Sequence, residues 1–453
     1  MSDAGIGSKN TKRSARVQAA WERLGESLFY VPSLFMIGAV IAAQVLVFID
    51  GTLDTENWPT FLTTTVDSSR VLLSVIAGGT ITAASVVFSL TLVAVQLAST
   101  QFSPRTLGTF LGDRVQQMII GLVLGTFVYC LLVLRVVRAP IEEGGSPFIP
   151  GVSVIVAVIL GVASMVAVIA SINRTAQSLR VSSIAQKVTD ATIEAIKNEF
   201  GEDDSGGSSV QGVKTIMTTD RVQSLGAAAF ESRESGWIQD IDVESMVCVV
   251  PDGGELGVSV AVGNYVVRGQ TVVSISPRPE DSENADRAIA DAIVIGPHRS
   301  RHGDVAFGIT QLVDIAVKAL SPGVNDPNTA EEIVVRLGEV LVELAIVDLP
   351  PRVVMVDGRS VRRNADPTHE DYINLAVEPI RRFARNDPRV LASLLRMLSV
   401  SKEVAQSRRP DAATSGFEVE IGLIIASVHV MTVEADRQFV LRTAQQLCIP
   451  LED

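Results

Sequence analysis

Four runs with no charged residue at their centres dominate this sequence: 27–49, 71–104, 115–134 and 144–173. A helix needs roughly 20 residues to span a bilayer, and each run provides them. The hydrocarbon core offers no water to satisfy an open backbone, so a spanning segment must be helical or part of a closed barrel. The runs therefore predict a membrane α-helical bundle of four transmembrane helices. The first run starts too late and continues too long for a cleavable signal peptide.

Charge divides the chain in the same place. Residues 1–172 carry 10 Lys/Arg and 10 Asp/Glu, whereas 173–453 carry 28 and 41, so the net −13 lies wholly in the second part. A mean hydropathy of +0.33 is the average of a membrane half and an acidic soluble half. This excludes a simple soluble enzyme, and an acidic half argues against a nucleic-acid binder, which wants clustered positive charge. Lys9, Lys12, Arg13, Arg16 and Arg23 precede the first run, Arg105 and Arg114 lie in the second loop, and Arg174, Arg180 and Lys187 follow the fourth run. The first loop sets only Arg70 against Asp50, Asp54, Glu56 and Asp67. The positive-inside bias thus predicts a multi-pass inner (plasma) membrane protein with both termini and the large C-terminal region cytoplasmic. Cys130, Cys248 and Cys448 are odd in number and widely separated. They suit a reducing compartment better than a disulfide framework.

The second apolar run has an unusual face. At about 100° per residue, Gly78, Thr82, Ser85, Ser89, Gln96, Thr100 and Ser103 share one stripe, interrupted by Leu92. Small and hydroxylated residues let membrane helices approach closely, so tight packing is one reading. A polar face lining a water-filled path in an oligomer is the other. Gly121 and Gly125 in the third run make a G-x-x-x-G helix-contact pattern. No ionisable residue falls mid-membrane, which leaves a carboxylate proton relay without support.

Beyond 173 the pattern predicts a cytoplasmic α+β region. Residues 174–231 read as a helical connector with a flexible break at 202–209 and an amphipathic helix around 213–230. From 236 to 276 the period falls to about 2, with turns at Asp252–Gly254 and Gly263–Asn264. This makes 232–280 a small barrel-sandwich-like β domain of the biotinyl/lipoyl type. The stretch 236–276 contains no lysine for covalent cofactor attachment, so an assembly module is the reading and no cofactor is implied. Residues 281–453 form a mainly α-helical C-terminal part, with helices near 284–295, 304–320, 327–347, 370–386, 388–405, 414–431 and 432–447 and a short strand at Val353–Val356. Asp-Pro pairs at 326–327, 366–367 and 387–388 predict three helix starts, because Asp caps and Pro fits the first turn.

The densest motif runs from 319 to 330. Gly323 would end one helix, and Asp326 with Thr329 would cap the next. On the preceding helix Val305, Ile309, Leu312, Val313, Ala316 and Leu320 form the apolar face, with Gln311, Asp314 and Lys318 opposite and Asp304 at the start. Together with Ser321, Asn325 and Asp326 these polar residues read either as a solvated face or as an interface or polar ligand site. His298 and His302 are four apart, but Pro297 and Gly303 bracket them, so loop histidines are expected and no metal site. Walker, G-x-G-x-x-G, H-E-x-x-H and G-x-S-x-G motifs are missing, and no catalytic constellation stands out.

Three stretches carry a family resemblance: Phe88–Arg105, Gly236–Asp242 with Val267–Gln270, and Gln311–Ala330. They resemble a bacterial predicted-membrane-protein family known as domain of unknown function 2254. The resemblance implies a four-helix membrane region (27–173, after the N-terminal 1–26) and a soluble C-terminal region, without a defined activity. His298 and His302 stand where the family suggests other polar residues. The resulting expectation is a homo-oligomeric channel or transporter, with a weak preference for cations and a cytoplasmic assembly or gating domain. The alternative is a membrane-anchored scaffold or sensor whose soluble domain binds a partner or ligand. Partners are then the lipid bilayer, further copies of the chain and small ions, with no nucleic acid.

Overall fold

A computed structural model describes residues 30–52, 65–101, 114–137, 150–178, 180–201, 227–299 and 304–450. The break at 202–209, the N-terminal segment 1–26 and most loop charges used for orientation lie outside the described residues. The chain forms two compact units, 1–183 and 184–453.

Among the described residues the first unit holds four helices long and apolar enough to cross a membrane: α1 (Tyr30–Thr52), α2 (Val66–Gln101), α3 (Arg114–Val136) and α4 (Gly151–Ser178). The most buried of them is α3, and the other three pack on it. Its glycine pair explains one contact. A Cβ on Gly121 would fall 2.9 Å from the Phe35 ring, and one on Gly125 would fall 3.3 Å from the Phe35 carbonyl. The G-x-x-x-G pattern therefore seats α1 against α3.

Hydroxyls and amides meet inside the bundle, as apolar surroundings demand. Gln116 Nε2 donates to Ser171 Oγ at 2.8 Å, Thr126 and Ser164 hydroxyls lie 2.9 Å apart, and Tyr129 Oη donates to the Ser153 carbonyl at 3.0 Å. Asp50 is not a loop charge. It lies in the last turn of α1, is only 4% exposed, and accepts Val152 N, Ser153 N and Ser153 Oγ at 2.9, 3.0 and 2.6 Å. A carboxylate there satisfies orphan amides at the start of α4 and meets its positive dipole end.

The second unit begins on α5 (Val181–Phe200), whose Ile184, Ala185, Val188, Thr192 and Ile196 are buried. Among the described residues eight strands follow: β1 (Ala228–Glu231), β2 (Gly236–Ile241), β3 (Glu255–Val258), β4 (Tyr265–Val266), β5 (Thr271–Ser276), β6 (Ile293–Gly296), β7 (Val353–Val356) and β8 (Arg359–Arg363). They form a five-stranded sheet, β1-β5-β3-β8-β7, and a three-stranded sheet, β4-β2-β6. Pairing is antiparallel except for β3 with β8, where Leu256 faces Val361. Ala228–Glu231, which overlaps the end of the predicted helix 213–230, is thus a strand, and both sheets draw strands from outside 232–280. Short helices α6 (Val243–Val247) and α7 (Ser282–Ala292) help close one apolar core containing Ile238, Met246, Leu256, Ile275 and Ile289.

Six further helices are described in this unit: α8 (Val305–Ala319), α9 (Pro327–Ala345), α10 (His369–Phe383), α11 (Pro388–Arg408), α12 (Ser415–Val428) and α13 (Glu434–Gln446). Leu312, Ile333, Leu337, Leu394 and Leu398 are fully buried among them, and each such side chain stabilises by roughly 1.5–3 kcal/mol. Asp326 and Asp387 cap α9 and α11 with Pro327 and Pro388 in the first turn. Asp366 does not cap: its carboxylate takes Arg363 at 2.7 Å, and α10 starts later through a capping box between Thr368 and Asp371.

Candidate functional site

The polar stripe of α2 lies on the outer face of the membrane unit. Gly78, Thr82, Ser85, Ser89 and Gln96 are all exposed, while Leu73, Ala77, Thr80, Ala84, Val87 and Ala94 make the buried face. The side chain of Thr100 and all of Ser103 lie outside the described residues. Thr82 Oγ1 donates to the Gly78 carbonyl at 2.8 Å and Ser85 Oγ to Ile81 at 3.1 Å, which quiets both hydroxyls within the helix. A Cβ on Gly78 or Gly79 would meet nothing within 4 Å. Glycine costs a helix roughly 1 kcal/mol against alanine, and no close approach among the described residues accounts for that cost.

The second group of candidate residues is spread along α8 and the following turn. Asp304 caps α8 and Lys318 stands in its last turn, roughly 20 Å away at 1.5 Å per residue. Gln311, expected on the polar stripe opposite the apolar face, is buried, Asp314 is half-buried, and Lys318 is exposed. The wide apolar environment of α8 takes in Gln311 because α9 and α10 both pack on this helix. Beyond it, Ser321 Oγ donates to the Lys318 carbonyl at 2.6 Å and Asn325 N to the Ser321 carbonyl at 2.9 Å, with Asn325 at φ +48°. Asp326 accepts Thr329 N at 3.2 Å and Thr329 Oγ1 at 2.7 Å. The Thr329 hydroxyl and amide hold the Asp326 carboxyl below the usual carboxylate range. The structure thus gathers Ser321, Asn325, Asp326 and Thr329 into one cap, and leaves Asp304 remote from it.

Asp304 has a partner that spacing did not reveal. Arg299 Nε and Nη2 donate to its two oxygens at 2.8 Å each, and Phe307 N donates at 2.9 Å. The pair is enclosed, with side chains 17% and 2% exposed. The guanidinium lies 5.6 Å from the Trp237 ring centroid and 5.2 Å from Phe307. Gly263, at φ +84°, makes room: a Cβ there would fall 2.5 Å from both Arg299 Nη2 and Asp304 Oδ2. His298 contributes its backbone, accepting Gln239 Nε2 at 2.7 Å, while His302 lies outside the described residues. A bidentate fork among aromatic faces suits arginine, and its only sequence signal was the G-N turn at 263–264.

Burial pushes the Asp366 carboxyl up despite Arg363 beside it, and raises the Tyr372 phenol, which also senses Asp304 and Asp366. Among the described residues, no group of three His, Cys, Asp or Glu side chains is placed to hold a metal. The three cysteines are unpaired, with Cys130 buried and Cys248 and Cys448 exposed.

Four apolar helices followed by this two-sheet and helical unit coincide with a profile described as a predicted membrane protein, DUF2254, which matches residues 25–400. The chain belongs to this family. Within the DUF2254 match lie all four apolar helices, both sheets and most of α11. An uncharacterized protein of Mycobacterium bovis is 30% identical over 396 residues, covering 84% of this chain and 72% of its own. An uncharacterized protein of Mycobacterium tuberculosis matches with the same identity and coverage. No solved structure matches the chain.

Proposed function

We propose that this DUF2254 protein is a homo-oligomeric channel or transporter for small ions, in which α2 helices from several copies face one another. The observation that carries this reading is the outward stripe Gly78, Thr82, Ser85, Ser89 and Gln96. The Gln96 amide is costly toward lipid and cheap toward water or a matching helix, and the hydroxyls of Thr82 and Ser85, already bonded within their own helix, still present a small polar surface to such a neighbour. Open space around Gly78 and Gly79 suits close approach of a second α2. On this reading both termini and the acidic C-terminal part face the cytoplasm of a bacterial inner membrane. The 41 acidic against 28 basic residues after 172 would concentrate cations at the inner mouth, giving a weak cation preference.

Purified protein in liposomes is expected to pass small cations, and Ser85→Trp or Ser89→Trp to block them. Ser89→Cys, in a chain whose three native cysteines are changed to serine, is expected to crosslink between copies. Absence of flux under voltage, tension and osmotic challenge alike would overturn the channel.

A membrane-anchored scaffold or sensor is the second reading. It draws on α12 and the turn after it, where Val419 and Leu423 of the helix and Val430 of the turn stay exposed, Val430 by 81%. It predicts that Ser85→Ala with Ser89→Ala leaves function intact, whereas Leu423→Asp abolishes partner binding.

A further inference from the structure

A groove of about 810 Å3 runs between α2 and α4 on the outer surface of the membrane unit. Val71, Leu72 and Val75 form one wall and Val158, Val162 and Met165 the other. The two helices touch at its base, where a Cβ on Gly161 would fall 3.1 Å from Ile76 Cγ2. One end is polar, formed by Asp67 and Ser68 in the first turn of α2.

The dimensions are those of one leaflet. From Asp67 to Ile76 the groove follows nine residue steps, about 14 Å at 1.5 Å per residue. Half of a hydrocarbon core of about 30 Å is about 15 Å. A helix from another copy would cross both leaflets and leave the polar end without a role. A lipid has the matching shape, with an apolar chain one leaflet long and a charged head at the interface.

We propose that this groove binds a phospholipid bearing an ammonium headgroup. One acyl chain lies between the valine walls, and the ammonium pairs with the Asp67 carboxylate. Bulk lipid is as apolar as the groove, so hydrophobicity gives no preference for a bound lipid. Selectivity must come from the head. Asp67 is exposed at the mouth and repels an anionic head while attracting a cationic one. Ser68 Oγ accepts the Thr65 hydroxyl at 2.9 Å and keeps its own proton for a phosphate oxygen. Arg70, the nearest basic residue in the helix, donates across the bundle to the Val137 carbonyl at 3.0 Å and does not line the groove. This assignment stands independently of ion flux.

The test uses the full chain in mild detergent with equal amounts of phosphatidylethanolamine and phosphatidylglycerol of identical acyl chains, read by native mass spectrometry. The expected result is one retained phosphatidylethanolamine per chain, favoured about fivefold, the ratio given by one partly exposed charge contact. Asp67→Asn is expected to abolish the headgroup preference while chain retention persists. Val162→Trp fills the groove from a position 62% exposed, so folding is spared, and it is expected to lose both lipids. Met165→Trp provides the same test from the adjacent turn. Equal retention of the two lipids by the wild type, a preference that survives Asp67→Asn, or full retention in both tryptophan variants would overturn the assignment.

Discussion

The Asp304 carboxylate accepts the Phe307 amide with one oxygen while both oxygens face the Arg299 guanidinium. Both side chains are enclosed, so the pair is not a surface bridge of negligible worth. Losing one partner would leave the other as an uncompensated buried charge, which costs roughly 3–5 kcal/mol. Asp304→Asn retains the cap and isolates the arginine. Arg299→Met retains the packing against Trp237 and isolates the aspartate. Each variant is expected to lower the unfolding free energy by about that amount, measured by urea titration. The double variant should lose less than the sum, because the unpaired charge is gone. Additive losses would show that the two groups do not act as a pair. Nothing in local spacing announced this contact. Asp304 was legible as a helix start, but its partner Arg299 sits against the Gly263 turn and the Trp237 ring, both distant in sequence.

Helix α10 shows how an element's start and its pH response are connected. Two start signals compete in Asp366-Pro367-Thr368-His369-Glu370-Asp371, and the capping box of Thr368 with Asp371 wins because Asp366 is occupied by Arg363. His369 therefore becomes the first helical residue, with Nε2 3.1 Å from the Val347 carbonyl. Burial lowers its pKa from the ordinary 6.5, with Arg409 assisting and the carbonyl contacts and Asp348 opposing. A cation in a first helical turn also faces the positive dipole end. With the folded pKa depressed, the unfolded chain binds the proton more readily. The stability contributed is therefore present above about pH 6.5 and lost as pH falls through the folded value. His369→Gln keeps a donor for Val347 and cannot charge. Between pH 7 and 5 the wild type is expected to lose more thermal stability than this variant, measured by scanning fluorimetry. Parallel losses would remove His369 from the response. Asp326 and Asp371, whose pKa values are lowered from 3.8, act below this window and are common to both proteins. Among the elements, helices with 3.6-residue spacing and their caps were readable locally. The parallel pairing of β3 with β8 was not, because Glu255 and Ser360 meet only after about a hundred intervening residues have folded.

At the scale of the whole molecule, the bilayer makes the membrane half legible and the division between halves less so. Hydropathy locates α1 to α4 because a spanning segment has so few alternatives. Periodicity likewise found the α2 stripe, yet a period assigns a face without naming its neighbour, and only the packed bundle shows that this face turns outward. The region after α4 read as a connector, because α5 follows in the same helical rhythm. Its buried residues attach it to the second unit. Thr192 lies so close to Gly308 of α8 that a Cβ on Gly308 would fall 2.1 Å from its Oγ1, and Gln186 accepts the Arg336 guanidinium of α9. Ile184, Val188 and Ile196 complete the apolar contact. Removing α5 takes away at least these three side chains and uncovers the apolar surface they pack on, a loss of roughly 1.5–3 kcal/mol for each, against a typical domain stability of about 5–15 kcal/mol. A fragment of residues 181–453 is therefore expected to be soluble and to unfold cooperatively, whereas 227–453 should aggregate or melt without a sharp transition. Gly308→Val in the longer fragment should reproduce part of that loss by forcing α5 away, and Thr192→Gly should restore it by vacating the space. Equal, sharp transitions from the two fragments would mean that α5 is carried by the membrane unit and not by the domain that follows it.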